Sequence, residues 1–205
     1  MVKVKVCGIT NLEDALASFF SGADALGFVF YKKSPRYIRP HKAANISRIL
    51  PEKIKRVGVF VNEKASAVIK IAKLCDLDML QFHGQESPEY CKKFKDYKVI
   101  KAFRINRKEN LEGISKYKTF AYLFDSFSKA RFGGTGNKFN WKILAQAARI
   151  KPIVFVSGGL TVSNVKKAIK LLKPDWVDAS SSLELSPGKK GHKEIAKFIQ
   201  AAKAV

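Results

Sequence analysis

The chain has 205 residues, 46% of them hydrophobic and 7 of them proline, enough to bury one substantial core and too few to need two, so a single domain over 1–205 is expected. No window approaches the roughly 18 uninterrupted apolar residues of a membrane span, and no apolar stretch follows Lys3 and Lys5 as in a secretory leader; a cytoplasmic protein with no membrane partner is expected. The 39 Lys plus Arg against 17 Asp plus Glu give a net charge of +22, but the lysines are spread through amphipathic segments such as NVKKAIKLLK without a basic tail or a helix-turn-helix signature, which argues against a dedicated nucleic-acid partner.

In chain order, the first element is the strand VKVC, which ends on the thiol of Cys7 and is followed by Gly8. The helix-patterned LEDALASFF leads to the strand ALGFVF at Ala25, the long loop YKKSPRYIRP and the helix KAANISRIL. RVGVFV, ASAVIKIAKL, MLQFH and PEYCKKF continue the alternation of strand and helix. KVIKAF at Lys98, FAYLFD at Phe120, a second long loop holding GGTGNK, the helix WKILAQAA, the strand PIVFVS, the helix TVSNVKKAIKLL and the strand DWVDAS complete it. Each of the helical segments is read as opening on a polar cap or a proline, as helix starts do.

Strict alternation implies parallel strands joined by crossover helices, and apolar runs fit strands covered on both faces. Eight βα units in 205 residues fit a (β/α)₈ TIM barrel of near-minimal length. A doubly wound open sheet is the competing architecture, but it often carries a glycine fingerprint after its first strand, where this chain has Cys7-Gly8-Ile9-Thr10.

In a barrel the chemistry sits at the carboxyl ends of the strands. Those ends carry Cys7, the YKKSPRYIRP loop, Asn62, His83, Arg104, Asp125, Ser157-Gly158-Gly159, and Asp178 with Ser180-Ser181-Ser182. Small residues after the seventh and eighth strands let backbone N–H groups approach an anion, and a short helix in SSLEL would complete a phosphate cradle. Cys7 and Asp125 would face each other across the mouth, a thiol and a carboxyl suited to proton abstraction paired with proton donation. Arg36 in SPRY has the geometry to hold a carboxylate through two parallel hydrogen bonds. Cys7, Cys75 and Cys91 form no C-x-x-C pair, and His41, His83 and His192 are scattered, so neither disulfides nor a metal site are expected. GGTGNK lacks the spacing of a Walker A loop.

Taken together, VKVCGIT, ADALGFVFYKKSPRYI, VGVFVNE, LQFHG, FDSF, FGGTGNKFNW, SGGL and VDASSSLE with PGKKG closely resemble the phosphoribosylanthranilate isomerase family of tryptophan biosynthesis. The resemblance implies a barrel that performs the Amadori rearrangement of N-(5′-phosphoribosyl)anthranilate without a cofactor, as a monomer or homodimer acting on a small phosphorylated anion. It implies that Cys7 is the general base at C2′ and Asp125 the general acid at the ribose ring oxygen. It further implies that Arg36 binds the anthranilate carboxylate, and that Gly158, Gly159, Ser180 and Ser181 line the phosphate site. Ser182 stands where the family usually has glycine, and Asn137, Lys138 and Asn140 replace a usual lysine, threonine and aspartate. A related isomerase family of histidine biosynthesis runs the same chemistry on a bulkier substrate, but tends to place aspartates at both catalytic strand ends. The remaining alternative is a binding protein for nucleic acid or an acidic partner, driven by the +22 charge.

Overall fold

The computed structural model describes residues 1–105, 113–125 and 153–205. The helix expected at WKILAQAA and the positions Asn137, Lys138 and Asn140 lie outside the described residues. Eight parallel strands close into a barrel in sequence order: β1 Lys3–Cys7, β2 Ala25–Val29, β3 Lys55–Phe60, β4 Met79–Phe82, β5 Lys98–Arg104, β6 Ala121–Asp125, β7 Ile153–Ser157 and β8 Trp176–Ala179. Pairing of β1 with β8, Lys5 opposite Asp178, shuts the ring and excludes the open sheet.

Period-2 alternation divides each strand between two cores. Val4, Val6, Leu26, Phe28, Phe60, Phe82, Phe124 and Val156 point outward into the layer under the helices, where rings such as Phe82 and Phe94 pack with centroids 4.9 Å apart. Ala25, Val57, Met79, Ile100, Leu123, Phe155 and Trp176 fill the barrel interior, closed by the stacked Phe155 and Trp176 rings (4.8 Å, 11°). Continuing the inward parity toward the carboxyl ends leads to Cys7, Gln81, Arg104, Asp125, Ser157 and Asp178. The functional end is therefore the top of the same residue stacks that form the core below.

Helix starts follow local chemistry. Asn11 Oδ1 accepts from the Asp14 N–H (2.8 Å) to cap Leu12–Phe20, Pro40 opens Pro40–Ile49, and Ser87 with Pro88 opens Pro88–Cys91. Ala65–Leu74 and Val165–Leu172 have no side-chain cap; Asn164 instead accepts from the Thr161 N–H. The PEYCKKF helix ends three residues early at Cys91, because Lys93 and Phe94 bond back to Tyr90 and Cys91 in tight turns that drop Phe94 into the outer core. Asp24, Asp78 and Asp175, each just before a strand, accept from the backbone N–H groups of Val4, Arg56 and Val154, all at 2.8 Å, and so fix register at the amino-terminal end.

After β8, SSLEL forms one 3-10 turn, Ser181–Leu183, and then an antiparallel hairpin of β9 Glu184–Ser186 with β10 Lys189–Lys190, followed by the helix His192–Lys203. The expected helix is replaced because Pro187-Gly188 makes a turn, with Gly188 at φ +83°. Nor are all lysines on solvated faces: Lys5, Lys101 and Lys190 are buried, each against a carboxylate, Asp178, Glu86 and Glu184 respectively. No helix among the described residues is long and apolar enough to cross a membrane.

Candidate active site

A cavity of about 410 Å³ opens at the carboxyl ends of the strands, beside one of about 730 Å³ lined by Asn62, Gln85 and Tyr117 with which it shares His83 and Arg104. All eight site residues expected from sequence line the smaller cavity: Cys7, Arg36, Asp125, Gly158, Gly159, Ser180, Ser181 and Ser182. A cleft of about 650 Å³ at the opposite end, around Met1, Lys173 and Val205, gathers lysines and apolar termini but no thiol or histidine.

Cys7 ends β1 against Val29 and Val59, 8% exposed. Gly27 lies opposite it on β2, and a Cβ there would fall 2.7 Å from Cys7 Sγ and 3.1 Å from Cys7 Cα. Only glycine leaves this hollow. Gly27→Ala is expected to cost about 1–3 kcal/mol of stability by overpacking and to displace the thiol, read as a lowered melting temperature together with reduced turnover. Burial pushes the Cys7 thiol above its ordinary value; Lys5 and Lys190 pull it down, while Asp178 adds to the rise.

Asp125 ends β6 and is held by His83, with Nε2 3.2 Å from Oδ2. Gln81 Nε2 donates to His83 Nδ1 (2.9 Å), and this orientation, assigned from the hydrogen-bond network, puts the ring proton on Nε2, facing the carboxylate. Gln81 is a contribution that sequence reasoning missed; His83 is placed at a strand end by the sequence, but its role is not, because its partner lies 42 residues away.

Arg36 is not free at the rim. Its Nε–H donates to Glu184 Oε1 (2.8 Å) and its Nη2 to Oε2 (2.7 Å), a bidentate clasp that leaves three of the five guanidinium N–H groups beyond it. Lys190 Nζ donates to the same Glu184 Oε1 (2.9 Å) and to the Ser180 carbonyl (3.1 Å). Burial alone would raise the Glu184 carboxyl, but the bonds from Arg36 and Lys190 outweigh it and hold it below the usual range. The clasp is therefore formed at neutral pH and lost only as the pH falls through that lowered value.

At the other side of the cavity Gly158 and Gly159 take left-handed conformations (φ +88° and +63°) after β7, and Ser180 Oγ donates to the Cys7 carbonyl (3.0 Å), tying β8 to β1. Ser182 sits in the 3-10 turn without a positive φ, so a side chain fits there unstrained.

A sequence profile described as N-(5'phosphoribosyl)anthranilate (PRA) isomerase matches residues 4–201. The N-(5'-phosphoribosyl)anthranilate isomerase of Pelobacter propionicus is 48% identical over 203 residues, covering 99% of this chain and 96% of its own, and that of Thermotoga neapolitana is 46% identical over the full length of both. The crystal structure of phosphoribosyl anthranilate isomerase from Thermotoga maritima superposes with a TM-score of 0.94 at 44% identity, covering both chains completely. The structure of such an enzyme in complex with reduced 1-(o-carboxyphenylamino)-1-deoxyribulose 5-phosphate gives a TM-score of 0.91 at 43% identity, again over both full chains. A thiol, a histidine-held carboxyl and paired left-handed glycines thus crown a barrel shared over its whole length, and the chain belongs to the N-(5'-phosphoribosyl)anthranilate isomerase family.

Proposed function

We propose that Cys7 and Asp125 are the base and the acid by which this isomerase converts N-(5′-phosphoribosyl)anthranilate to 1-(2-carboxyphenylamino)-1-deoxy-D-ribulose 5-phosphate. The supporting observation is that a thiol and a carboxyl, on strands whose ends lie on different sides of the mouth, line one cavity, with the Gly158-Gly159 and Ser180–Ser182 loops of the intervening strands β7 and β8 between them. Asp125 delivers a proton to the ribose ring oxygen, the C–O bond opens, and the nitrogen lone pair completes a Schiff base. The Cys7 thiolate then takes the C2′ proton, and the C–H electron pair flows into the C1′–C2′ bond to give an enolamine. Tautomerisation yields the ketose. One proton is given and one is taken, so the isomerisation closes without a cofactor.

Gly158, Gly159, Ser180, Ser181 and Ser182 receive the 5′-phosphate through backbone N–H groups and hydroxyls, and Arg36 turns its remaining donors to the anthranilate carboxylate. Glu184 fixes Arg36 in that pose. Glu184→Gln is expected to raise KM about tenfold with a smaller change in kcat, because it loosens a ground-state contact and removes no reacting group. An unchanged KM would separate the clasp from substrate binding.

Every residue of this scheme comes from one chain, which suits a monomer equally with a homodimer; the Thermotoga maritima relative is described as dimeric. We read 1–205 as one catalytic domain working in the cytoplasm, where a phosphorylated anion of this kind would be made and used. The direct test is the loss of anthranilate-type fluorescence on adding purified protein to freshly generated substrate. Decay no faster than spontaneous hydrolysis would overturn the assignment.

A further inference from the structure

Of the three buried lysines among the described residues, two have evident structural duties. Lys101 Nζ donates to the Phe82 and Gly84 carbonyls and to Glu86, closing the loop after β4, and Lys190 holds Glu184 and Ser180 at the β8 end. Lys5 differs. Fully buried inside the barrel two residues before Cys7, it donates to Asp178 Oδ1 across the β1–β8 seam (3.0 Å; side chains 0% and 5% exposed). Replacing a buried pair of this kind by well-packed apolar residues is often neutral for stability, so burial of the pair is weak evidence for a purely structural duty. Its ammonium converges with the Cys7 sulfur on the hollow at Gly27, where a Cβ would lie 3.2 Å from Lys5 Nζ and 2.7 Å from Cys7 Sγ.

We propose that Lys5 is a positioning residue for proton abstraction: its buried ammonium, anchored by Asp178, is the counter-ion on which the Cys7 thiolate forms. This rests on the reading of Cys7 as the base. The charged groups around the thiol are Lys5 from β1, Asp178 from β8, and Lys190 from β10 with its partner Glu184, which Arg36 also clasps; β2 and β3 present Gly27, Val29 and Val59. Of these, Lys5 and Lys190 favour the thiolate and Asp178 opposes it. The S–H proton leaves to solvent through the open mouth, the thiolate takes the C2′ proton, and the re-formed S–H loses it again before the next turnover.

The titration of the cluster agrees in sign. Burial alone would depress Lys5, yet Asp178 and Cys7 hold its ammonium above the ordinary value. Burial raises the Asp178 carboxyl and Lys5 offsets this only in part. Lys5 opposes the burial that drives the thiol up, and Asp178 works against it. The two neighbours therefore act on Cys7 with opposite signs, Lys5 favouring the thiolate and Asp178 the thiol.

The experiment follows the alkylation of Cys7 by iodoacetamide against pH, resolved from Cys75 and Cys91 by peptide mass spectrometry. In Lys5→Met the midpoint is expected to rise by about one unit or more, and in Asp178→Asn to fall. The same rise lowers kcat at pH 7 by about threefold or more, since a tenfold loss of thiolate is partly offset by a stronger base, while KM stays within about twofold. If Lys5→Met fails to fold because Asp178 is left unpaired, the double variant Lys5→Met/Asp178→Asn removes both charges, and its midpoint is still expected above that of the unmodified protein. A midpoint unchanged or lowered on loss of Lys5 overturns the proposal. Full activity in Cys7→Ser would instead overturn the base assignment, and the alkylation curves would still report on the ion pair.

Discussion

Replacing Cys7 by serine is expected to lower kcat by about 10³-fold or more while leaving KM within a few-fold and the melting temperature nearly unchanged. A positioned general base contributes about 10²–10⁴ to rate, and the serine hydroxyl has no accessible ionised form at neutral pH. The site is small, buried and bounded by Gly27, Val29 and Val59, so exchanging sulfur for oxygen alters volume little. Near-normal turnover in this variant would remove Cys7 from the mechanism.

The direction of the thiol's shift fixes the form of the pH profile. The productive enzyme needs a thiolate and a protonated acid at once, and burial has moved the thiol upward. For any acid whose pKa lies below that of the thiol, only a small constant fraction of the enzyme holds that combination between the two values, because each unit of pH trades tenfold more thiolate for tenfold less acid. kcat/KM is therefore expected to be flat through neutrality and to fall only above the thiol's pKa and below the acid's. In Cys7→Ser one limb vanishes, and the residual rate declines as pH rises through the carboxyl's range.

The barrel was legible because its strands are short β-branched runs with helical spacing between them, and the site because barrel chemistry gathers at strand ends. Cys7, Asp125 and the Gly158-Gly159 pair could be read in that way. What supports them could not. Glu184 and Lys190 belong to a hairpin whose signal, Pro187-Gly188, follows closely on SSLEL, a stretch that also reads as a short helix. The link from His83 to Asp125 joins β4 to β6, and no spacing in the chain encodes it. Lys5 had a signal that composition concealed. In KVKVC the alternation puts Lys5 on the same face as Cys7, yet in a chain with 39 Lys plus Arg a lysine reads as surface. A lysine two residues before an inward cysteine is a parity argument, and it outweighs the average behaviour of lysine once the barrel closes.

Asp125→Asn is the companion prediction, with a loss in kcat of about 10²–10⁴ and the fold preserved. Asparagine matches aspartate in shape, and its Oδ1 accepts the same hydrogen bond from His83 Nε2 that the carboxylate accepts at 3.2 Å, so the acid is lost without loss of its anchor. What disappears is the proton for the ring oxygen, and with it the opening that must precede removal of the C2′ proton. Only the thiol then titrates in the rate, so the residual activity is expected to rise with pH through the thiol's range and level off above it, opposite in sign to the residual activity of Cys7→Ser. Assaying both variants from acid to alkaline pH divides the flat profile of the parent enzyme into its two limbs. A residual rate that falls with pH in Asp125→Asn would show that the acid resides on another group, and His83, already in contact with that carboxyl, would be the one to replace next.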